Sequence, residues 1–325
     1  MESIWDVGIS MIVFLQSIGS WLEAPMKFFS FLGQEEFYLL VAPAIYWCLD
    51  SAIGIRLALW LMVSSNLNSA FKILFADPRP YWYSTQVTAY AAESSFGLPS
   101  GHAQNSVVVF AGMGWLFKRR WLLWAGGILA FLIGLSRMYL AVHFPIDVLL
   151  GWLIGLALLW LLLRCEKAIV TFVRNQSFVM NALAAFISSM VLLGIVLLFR
   201  QLQSGWVAPA AWLETIAVTY PNSEINPLSI AGSVSNAAAF FGLALGAFWT
   251  IKSPLTISGL PWQKLLARYI LGVVGVLIFW YGLKLIPLFA SGEDFLSLAM
   301  RYIRYGLVGF WVTGLGPTFF RKMKI

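Results

Sequence analysis

The chain has 325 residues, of which 60% are apolar and 11% charged, with a formal net charge of +7. Soluble domains carry about 25% charged residues, so this composition excludes an ordinary soluble enzyme and points to a polytopic membrane protein. The basic excess falls where helices would leave a bilayer, so it reads as a topology signal rather than a nucleic-acid surface.

A spanning helix needs about 20 largely apolar residues. Ile4 to Leu22 is apolar but interrupted by Asp6, Gln16 and two glycines. It reads as an interfacial amphipathic helix, with a short span as the alternative. The residues from Met1 to Asp6 lack the basic start of a cleaved signal peptide. Spans are expected near 36–50, 54–75, 100–117, 121–139, 145–163, 177–199, 231–251, 267–289 and 302–320. The expected fold is therefore all-α: a polytopic membrane helical bundle of about nine transmembrane helices plus an N-terminal amphipathic helix. Three parts are expected: an interfacial helix and loop over 1–35, a core carrying the motifs over 36–174, and an additional C-terminal transmembrane bundle over 175–325.

The connections alternate in charge. Lys118-Arg119-Arg120, then Arg164, Lys167 and Arg174, then Lys252, Lys264 and Arg268, and finally Arg321, Lys322 and Lys324 fall on one side of a nine-span arrangement. The positive-inside rule makes that side cytoplasmic. The other side takes the 76–99 loop, the turn near 140–144, the 200–230 loop and the turn Ser291-Gly292-Glu293-Asp294, together with Arg200, Arg301 and Arg304. Cys48 and Cys165 both fall near cytoplasmic helix ends, so two free thiols are expected rather than a disulfide.

The chain contains two histidines, His102 and His143, and each stands in a motif rich in Ser, Gly, Arg or Asp on the non-cytoplasmic side. The first motif is Lys72, six residues, then Arg79-Pro80. Proline on both sides, in Asp77-Pro78-Arg79-Pro80, holds Arg79 outside a helix. An ammonium and a guanidinium converging there would form an anion site, and taken alone they serve equally well as snorkelling cations. The second is Pro99-Ser100-Gly101-His102, opening a helix: Ser100 suits an N-cap, and Gly101 lets an oxyanion approach the backbone. The third is Ser136-Arg137, five residues, His143, three residues, Asp147. His143 and Asp147 have the spacing that meets on one helix face, where the carboxylate fixes the imidazole tautomer. By itself such a pair serves as interhelical glue at least as readily.

Taken together, these motifs resemble those of the type 2 phosphatidic acid phosphatase superfamily, which also contains the vanadium haloperoxidases. Every position of its K-x6-RP, PSGH and SR-x5-H-x3-D pattern is matched in order, within residues 36–163. The resemblance implies a membrane phosphomonoesterase in which His143 is the nucleophile, Asp147 orients it, and His102 is the general acid. Lys72, Arg79, Ser100, Gly101 and Arg137 would then bind the phosphoryl oxygens. It implies no cofactor and no metal. The partners expected are a lipid phosphate or small phosphorylated substrate and the lipid bilayer, with no nucleic acid.

Two stretches, 71–82 and 136–145, also resemble glucose-6-phosphatases, which tend to have an amide where this chain has Asp147. The extra C-terminal helices are similar to those of sphingoid-phosphate phosphatases. The preferred reading is hydrolysis of a lipid phosphate such as phosphatidate, a polyprenyl phosphate or a sphingoid phosphate. A sugar-phosphate phosphatase is the alternative, and a vanadate haloperoxidase or a non-catalytic lipid-binding or transport protein stand behind it. The localisation expected is a multi-pass cell membrane protein with the site on the non-cytoplasmic side, lumenal if in a eukaryotic endoplasmic reticulum. Among secondary residues, Asn68 is expected in interhelical hydrogen bonding, Glu93 as a solvated loop carboxylate, Tyr81, Trp82 and Tyr83 as an interface belt, and Lys284 as a snorkelling cation.

Overall fold

The computed structural model describes residues 3–221, 225–286 and 292–325, and among these all regular structure is helical. α1 (Ile4–Ser17) begins with a capping box. The Asp6 amide donates to Ser3 Oγ (3.2 Å), and the Ser3 amide donates back to Asp6 Oδ2 (3.0 Å), which satisfies two donors a helix start would otherwise leave open. α2 (Glu23–Phe31) belongs to a stretch, Ser20–Phe31, that meets α1 at 92°. Gly19 makes that corner at φ +134°, a region only glycine enters freely.

The chain continues through α3 (Glu35–Ala44), α4 (Ser51–Phe75), α5 (Pro80–Tyr83), α6 (Gly101–Ser106), α7 (Gly112–Leu116), α8 (Arg120–Tyr139) and α9 (Pro145–Asn175). It then forms α10 (Phe178–Leu202), α11 (Ala210–Thr219), α12 (Ala231–Thr250), α13 (Trp262–Leu277), α14 (Phe295–Phe310) and α15 (Gly316–Lys322). Six stretches among the described residues are long and apolar enough to cross a membrane: Ser51–Tyr83, Arg120–Tyr139, Pro145–Asn175, Phe178–Leu202, Ala231–Thr250 and Trp262–Leu285. The bent N-terminal pair makes a seventh if counted as one span.

Among the described residues, length and composition do not confirm the expected count of nine. The stretches at 36–50, 100–117 and 302–320 are apolar but assembled from shorter helices. π turns interrupt them at Ile45–Leu49, Val107–Ala111 and Trp311–Leu315, and Pro43 lies inside α3. At the first two, the helical runs 35–49 and 101–116 are shorter than the about 17 residues that the shortest span needs. The expected span 267–289 and the turn at 291–294 run into 287–291, and the 200–230 loop includes 222–224, all outside the described residues.

The chain forms two compact units. The first comprises the described residues of 1–37, 67–159 and 196–229; the second comprises 38–66, 160–195 and 230–325. Residues 196–229 pack within the first unit. In that unit α1, α2, α6 and α7 pack against α8, and Ile12, Tyr81, Trp82, Phe96, Tyr139 and Phe144 form a buried core. In the second unit α12 packs along α14. The Trp47 indole there donates to Val312 O (2.7 Å), and Arg268 donates to Trp47 O (3.1 Å) and Ile325 O (2.9 Å).

Candidate active site

The last turn of α4 carries Lys72. The chain then passes through the stiff Asp77-Pro78-Arg79-Pro80 segment, where Arg79 is extended (φ −100°, ψ 158°) and precedes α5, as a residue before proline must be. Its side chain is 1% exposed, and each guanidinium nitrogen is engaged. Nε donates to Ser95 O (2.6 Å), Nη2 to Ser95 Oγ and Phe96 O (3.0 Å each), and Nη1 to Val142 O (2.8 Å). Nη1 also stands 3.3 Å from His143 Nε2. Lys72 Nζ donates to the same Phe96 carbonyl (2.7 Å) and to Ser95 Oγ (3.3 Å). Two cations from the first motif are thus gathered on one loop carbonyl, and the planar fork of Arg79 has a single fixed orientation.

Ser100 caps α6, accepting from the Ala103 amide at Oγ (3.4 Å). Its own amide donates to Asp147 O (2.9 Å), which ties the second motif to the third. A Cβ at Gly101 would lie 2.8 Å from Asn68 Oδ1 and would force that side chain to shift. Asn68 in turn donates to Pro99 O (3.2 Å) and Gln104 Oε1 (3.0 Å), the interhelical use expected of it. His102 follows in the first turn of α6. Its Nε2 is buried without a hydrogen-bond partner among the described residues.

α8 ends in a Schellman motif. The Val142 amide donates to Arg137 O (3.2 Å), the Ala141 amide donates to Met138 O (2.9 Å), and Ala141 takes φ +57°. This reversal returns the chain so that His143 faces Arg79. The His143–Asp147 pair does not share a helix face, because α9 begins only at Pro145. His143 lies in the turn before it. Asp147 reaches back from the first turn, so that Oδ2 accepts from the Phe144 amide (2.9 Å) and meets His143 Nδ1 at 3.1 Å. The first bond is the return half of a capping box, and the helix start favours the negative charge there. With Nδ1 held by the carboxylate, Nε2 is the nitrogen presented to the Arg79 side. Burial, and then the charges of Arg79, Lys72 and Arg137, hold the His143 imidazole well below its ordinary pKa, which keeps it neutral.

Arg137, in the last turn of α8, donates Nη1 to Ser30 Oγ (2.5 Å) and forms a close ion pair through Nη2 with Glu93. Burial would raise the Glu93 carboxyl, but the positive charges of Arg137, Arg79 and Lys72 hold it well below the usual carboxylate range. The Tyr81 hydroxyl fixes the same residue, donating to Glu93 O and accepting from its amide (2.9 Å each).

A family profile described as "PAP2 superfamily" matches residues 53–170, and one described as "PAP2 superfamily phosphatase, transmembrane extension" matches residues 234–325. The chain belongs to the PAP2 superfamily. Glucose-6-phosphatase 3 of Bos taurus is 32% identical over 190 residues, covering 50% of this chain and 54% of that protein. Sphingosine-1-phosphate phosphatase 1 of Mus musculus is 28% identical over 324 residues, covering 90% of this chain and 70% of that protein. Undecaprenyl-diphosphatase of Sulfolobus acidocaldarius is 30% identical over 150 residues, covering 45% and 71%. The chain spans about half the length of the glucose-6-phosphatase 3 it matches.

All eight residues singled out in the PAP2 motifs lie in the first unit. Direct hydrogen bonds or close contacts join Arg79 to His143, His143 to Asp147, and Asp147 to Ser100. Four partners were not legible as such. Glu93 reads in the sequence as a solvated loop carboxylate and is instead the ion-pair partner of Arg137. The adjacent Ser95 and Phe96 supply the oxygens that hold Lys72 and Arg79; the polar run Glu93-Ser94-Ser95 just ahead of the second motif was the available signal. Ser30 had none, because it reaches Arg137 only when α2 folds onto α8. Tyr81 and Trp82 do not form an interface belt: both are fully buried, because α5 turns them into the aromatic core of the first unit.

Proposed function

We propose that this PAP2 chain is an integral membrane phosphatase that hydrolyses a phosphate monoester in two steps, with a lipid phosphate as substrate. One observation carries the reading: a buried imidazole whose Nδ1 is held by Asp147 while its Nε2 faces the fixed guanidinium of Arg79. In the first step His143 Nε2 attacks phosphorus, a P–N bond forms, and the P–O ester bond breaks as His102 gives its proton to the leaving alkoxide. In the second, water attacks phosphorus, the P–N bond breaks, and His102 takes the water proton. Lys72, Arg79 and Arg137, with the Ser100-Gly101 turn, stabilise the equatorial oxygens, where most of the catalysis of phosphoryl transfer resides.

Three features support a lipid substrate. Sphingosine-1-phosphate phosphatase 1 aligns along 90% of the chain. The bent N-terminal helices next to the site expose Phe14, Trp21 and Phe28, as a surface in contact with lipid would. Lys118 to Arg120 and Arg137 stand at opposite ends of α8, Arg120 and Arg137 being about 26 Å apart at 1.5 Å per residue. By the positive-inside rule the site then lies on the non-cytoplasmic side. The similarity to glucose-6-phosphatase 3 supports a sugar phosphate as the second reading.

The deciding experiment is inorganic phosphate release by the purified protein in detergent with EDTA. Phosphatidate, a polyprenyl phosphate, a sphingoid phosphate and glucose 6-phosphate are compared, with His143→Ala alongside. Release that survives EDTA and disappears in the variant is expected, with a lipid preferred; loss in EDTA, or activity retained in His143→Ala, refutes the mechanism. For orientation, Ser204→Cys in a background lacking Cys48 and Cys165 should react with an impermeant thiol reagent in intact cells. Labelling only after permeabilisation overturns the assignment.

A further inference from the structure

We infer that residues 203–221 and Asn226, which follow α10 and lie outside the three motifs, form an aromatic clamp that positions the phosphate-binding cations, with Trp206 as its principal positioning residue. The inference rests on the proposed reading of Lys72 and Arg79 as phosphate-binding groups.

Lys72 and Arg79 converge on Phe96 O and on Ser95, so the aim of both cations depends on where the 94–96 loop is held. Neither the first motif nor the second contains this loop. Its supports come from the segment after α10. The Phe96 ring packs edge-on against Trp206, with centroids 5.0 Å apart at 87°. Trp206 packs on Trp212 (6.3 Å), and Trp212 on Trp82 (5.9 Å). Trp82 lies under the Arg79 guanidinium, 6.0 Å from ring centroid to Cζ. The chain of aromatic contacts therefore begins at the loop that holds the cations and ends at one of the cations.

Three hydrogen bonds pin the segment in place. The Asn226 amide donates to Ser94 O (3.1 Å), Thr219 Oγ1 to Tyr81 O (2.8 Å), and Gln203 Nε2 to Leu74 O (3.3 Å). Each acceptor lies within two residues of Lys72, Arg79 or Phe96. Edge-to-face aromatic pairs have a directional preference beyond simple burial, so the clamp fixes an orientation as well as excluding water. Removing Trp206 frees Phe96 to shift, and misplacement of a positioning group by about 1 Å costs on the order of 100-fold in rate.

The experiment uses the full chain in detergent and two readouts. One is kcat on phosphatidate. The other is the affinity for orthovanadate, which adopts the five-coordinate geometry of a phosphoryl group in transfer, read as thermal stabilisation during titration. Trp206→Ala should lower kcat about 10- to 100-fold and weaken vanadate binding about fivefold or more, while the melting temperature without ligand stays near that of the parent. Trp206→Phe, which keeps an aromatic face for Phe96, should restore most of both. Trp249→Ala, at an exposed position on α12, should leave both unchanged.

Vanadate affinity and kcat that stay at parental values in Trp206→Ala overturn the clamp. So does a loss that follows a fallen melting temperature and is not restored by Trp206→Phe. If Trp206→Ala does not fold, Thr219→Val carries the test: it removes the bond to Tyr81 O, along with the alternative one to Thr215 O within α11 (2.9 Å), and should weaken vanadate severalfold, and unchanged affinity overturns the inference. A parent protein that releases no phosphate from any of the four substrates refutes the proposed function, and the vanadate titration, which needs no turnover, still decides the clamp.

Discussion

Replacing Asp147 distinguishes two contributions that the geometry separates. Asp147 Oδ2 accepts from the Phe144 amide at 2.9 Å and meets His143 Nδ1 at 3.1 Å. In Asp147→Asn the amide oxygen must occupy that position, because an NH2 group there would face the Phe144 N–H. An oxygen acceptor therefore still holds a proton on His143 Nδ1, and Nε2 remains the free nitrogen. What is lost is the negative charge. A hydrogen bond to a charged group contributes about 1.5–3 kcal/mol against about 0.5–1.5 kcal/mol for a neutral one. The difference, about 1–1.5 kcal/mol, grows in as the imidazole takes on positive charge during attack, so it appears in kcat as roughly a tenfold loss. Asp147→Ala removes the acceptor altogether. It leaves the buried Phe144 amide unpaired, at about 1–3 kcal/mol, and frees His143 to take the unproductive tautomer, for which a loss of roughly 1000-fold or more is expected. Phosphate release at saturating substrate, with circular dichroism to confirm folding, measures both. An Asn variant as inactive as the Ala variant, or an Ala variant within about tenfold of the parent, refutes the argument.

The acid limb of kcat/KM should lie below pH 6.5. His143 attacks only when neutral, and its pKa is lowered by burial and by Arg79, Lys72 and Arg137, so activity is lost only as pH falls through that lowered value; a limb above pH 6.5 contradicts this. Removing one of these cations, as in Arg79→Gln, should move the limb upward along with the overall loss of rate. Glu93→Gln takes away the carboxylate that competes with an incoming phosphate for Arg137 Nη2, so inorganic phosphate should inhibit severalfold more strongly; weaker inhibition would mean that Glu93 organises the site instead of competing in it. Lys118 is exposed and sits at φ +53° in the turn that ends α7. Lys118→Gly relieves about 1–2 kcal/mol of left-handed strain against about 0.4–1 kcal/mol of added chain entropy, so thermal unfolding should show a gain of about 0.5–1 kcal/mol.

The sequence alone determined the membrane class and the helical fold, and it named the eight motif residues from which the proposed site is built. Composition reports the solvent, and the three motifs place charged and nucleophilic side chains at fixed offsets within single segments. The PAP2 assignment follows from those offsets. Tertiary structure decided what depends on two distant segments meeting. His143 and Asp147 have helical spacing in the sequence, yet they meet because the Schellman turn after α8 delivers one of them to the cap of α9. Glu93 reads as a solvated carboxylate until Arg137, 44 residues later, is brought against it. Ser30 and Trp206 carry no local mark, since each acquires its role only by contact with Arg137 or Phe96. Hydropathy also led to spans being expected at 36–50 and 100–117, where the helical runs end short of a full crossing, because apolar composition does not fix where a helix stops. Local spacing specifies which groups are available; only the packing of non-local segments specifies which of them touch.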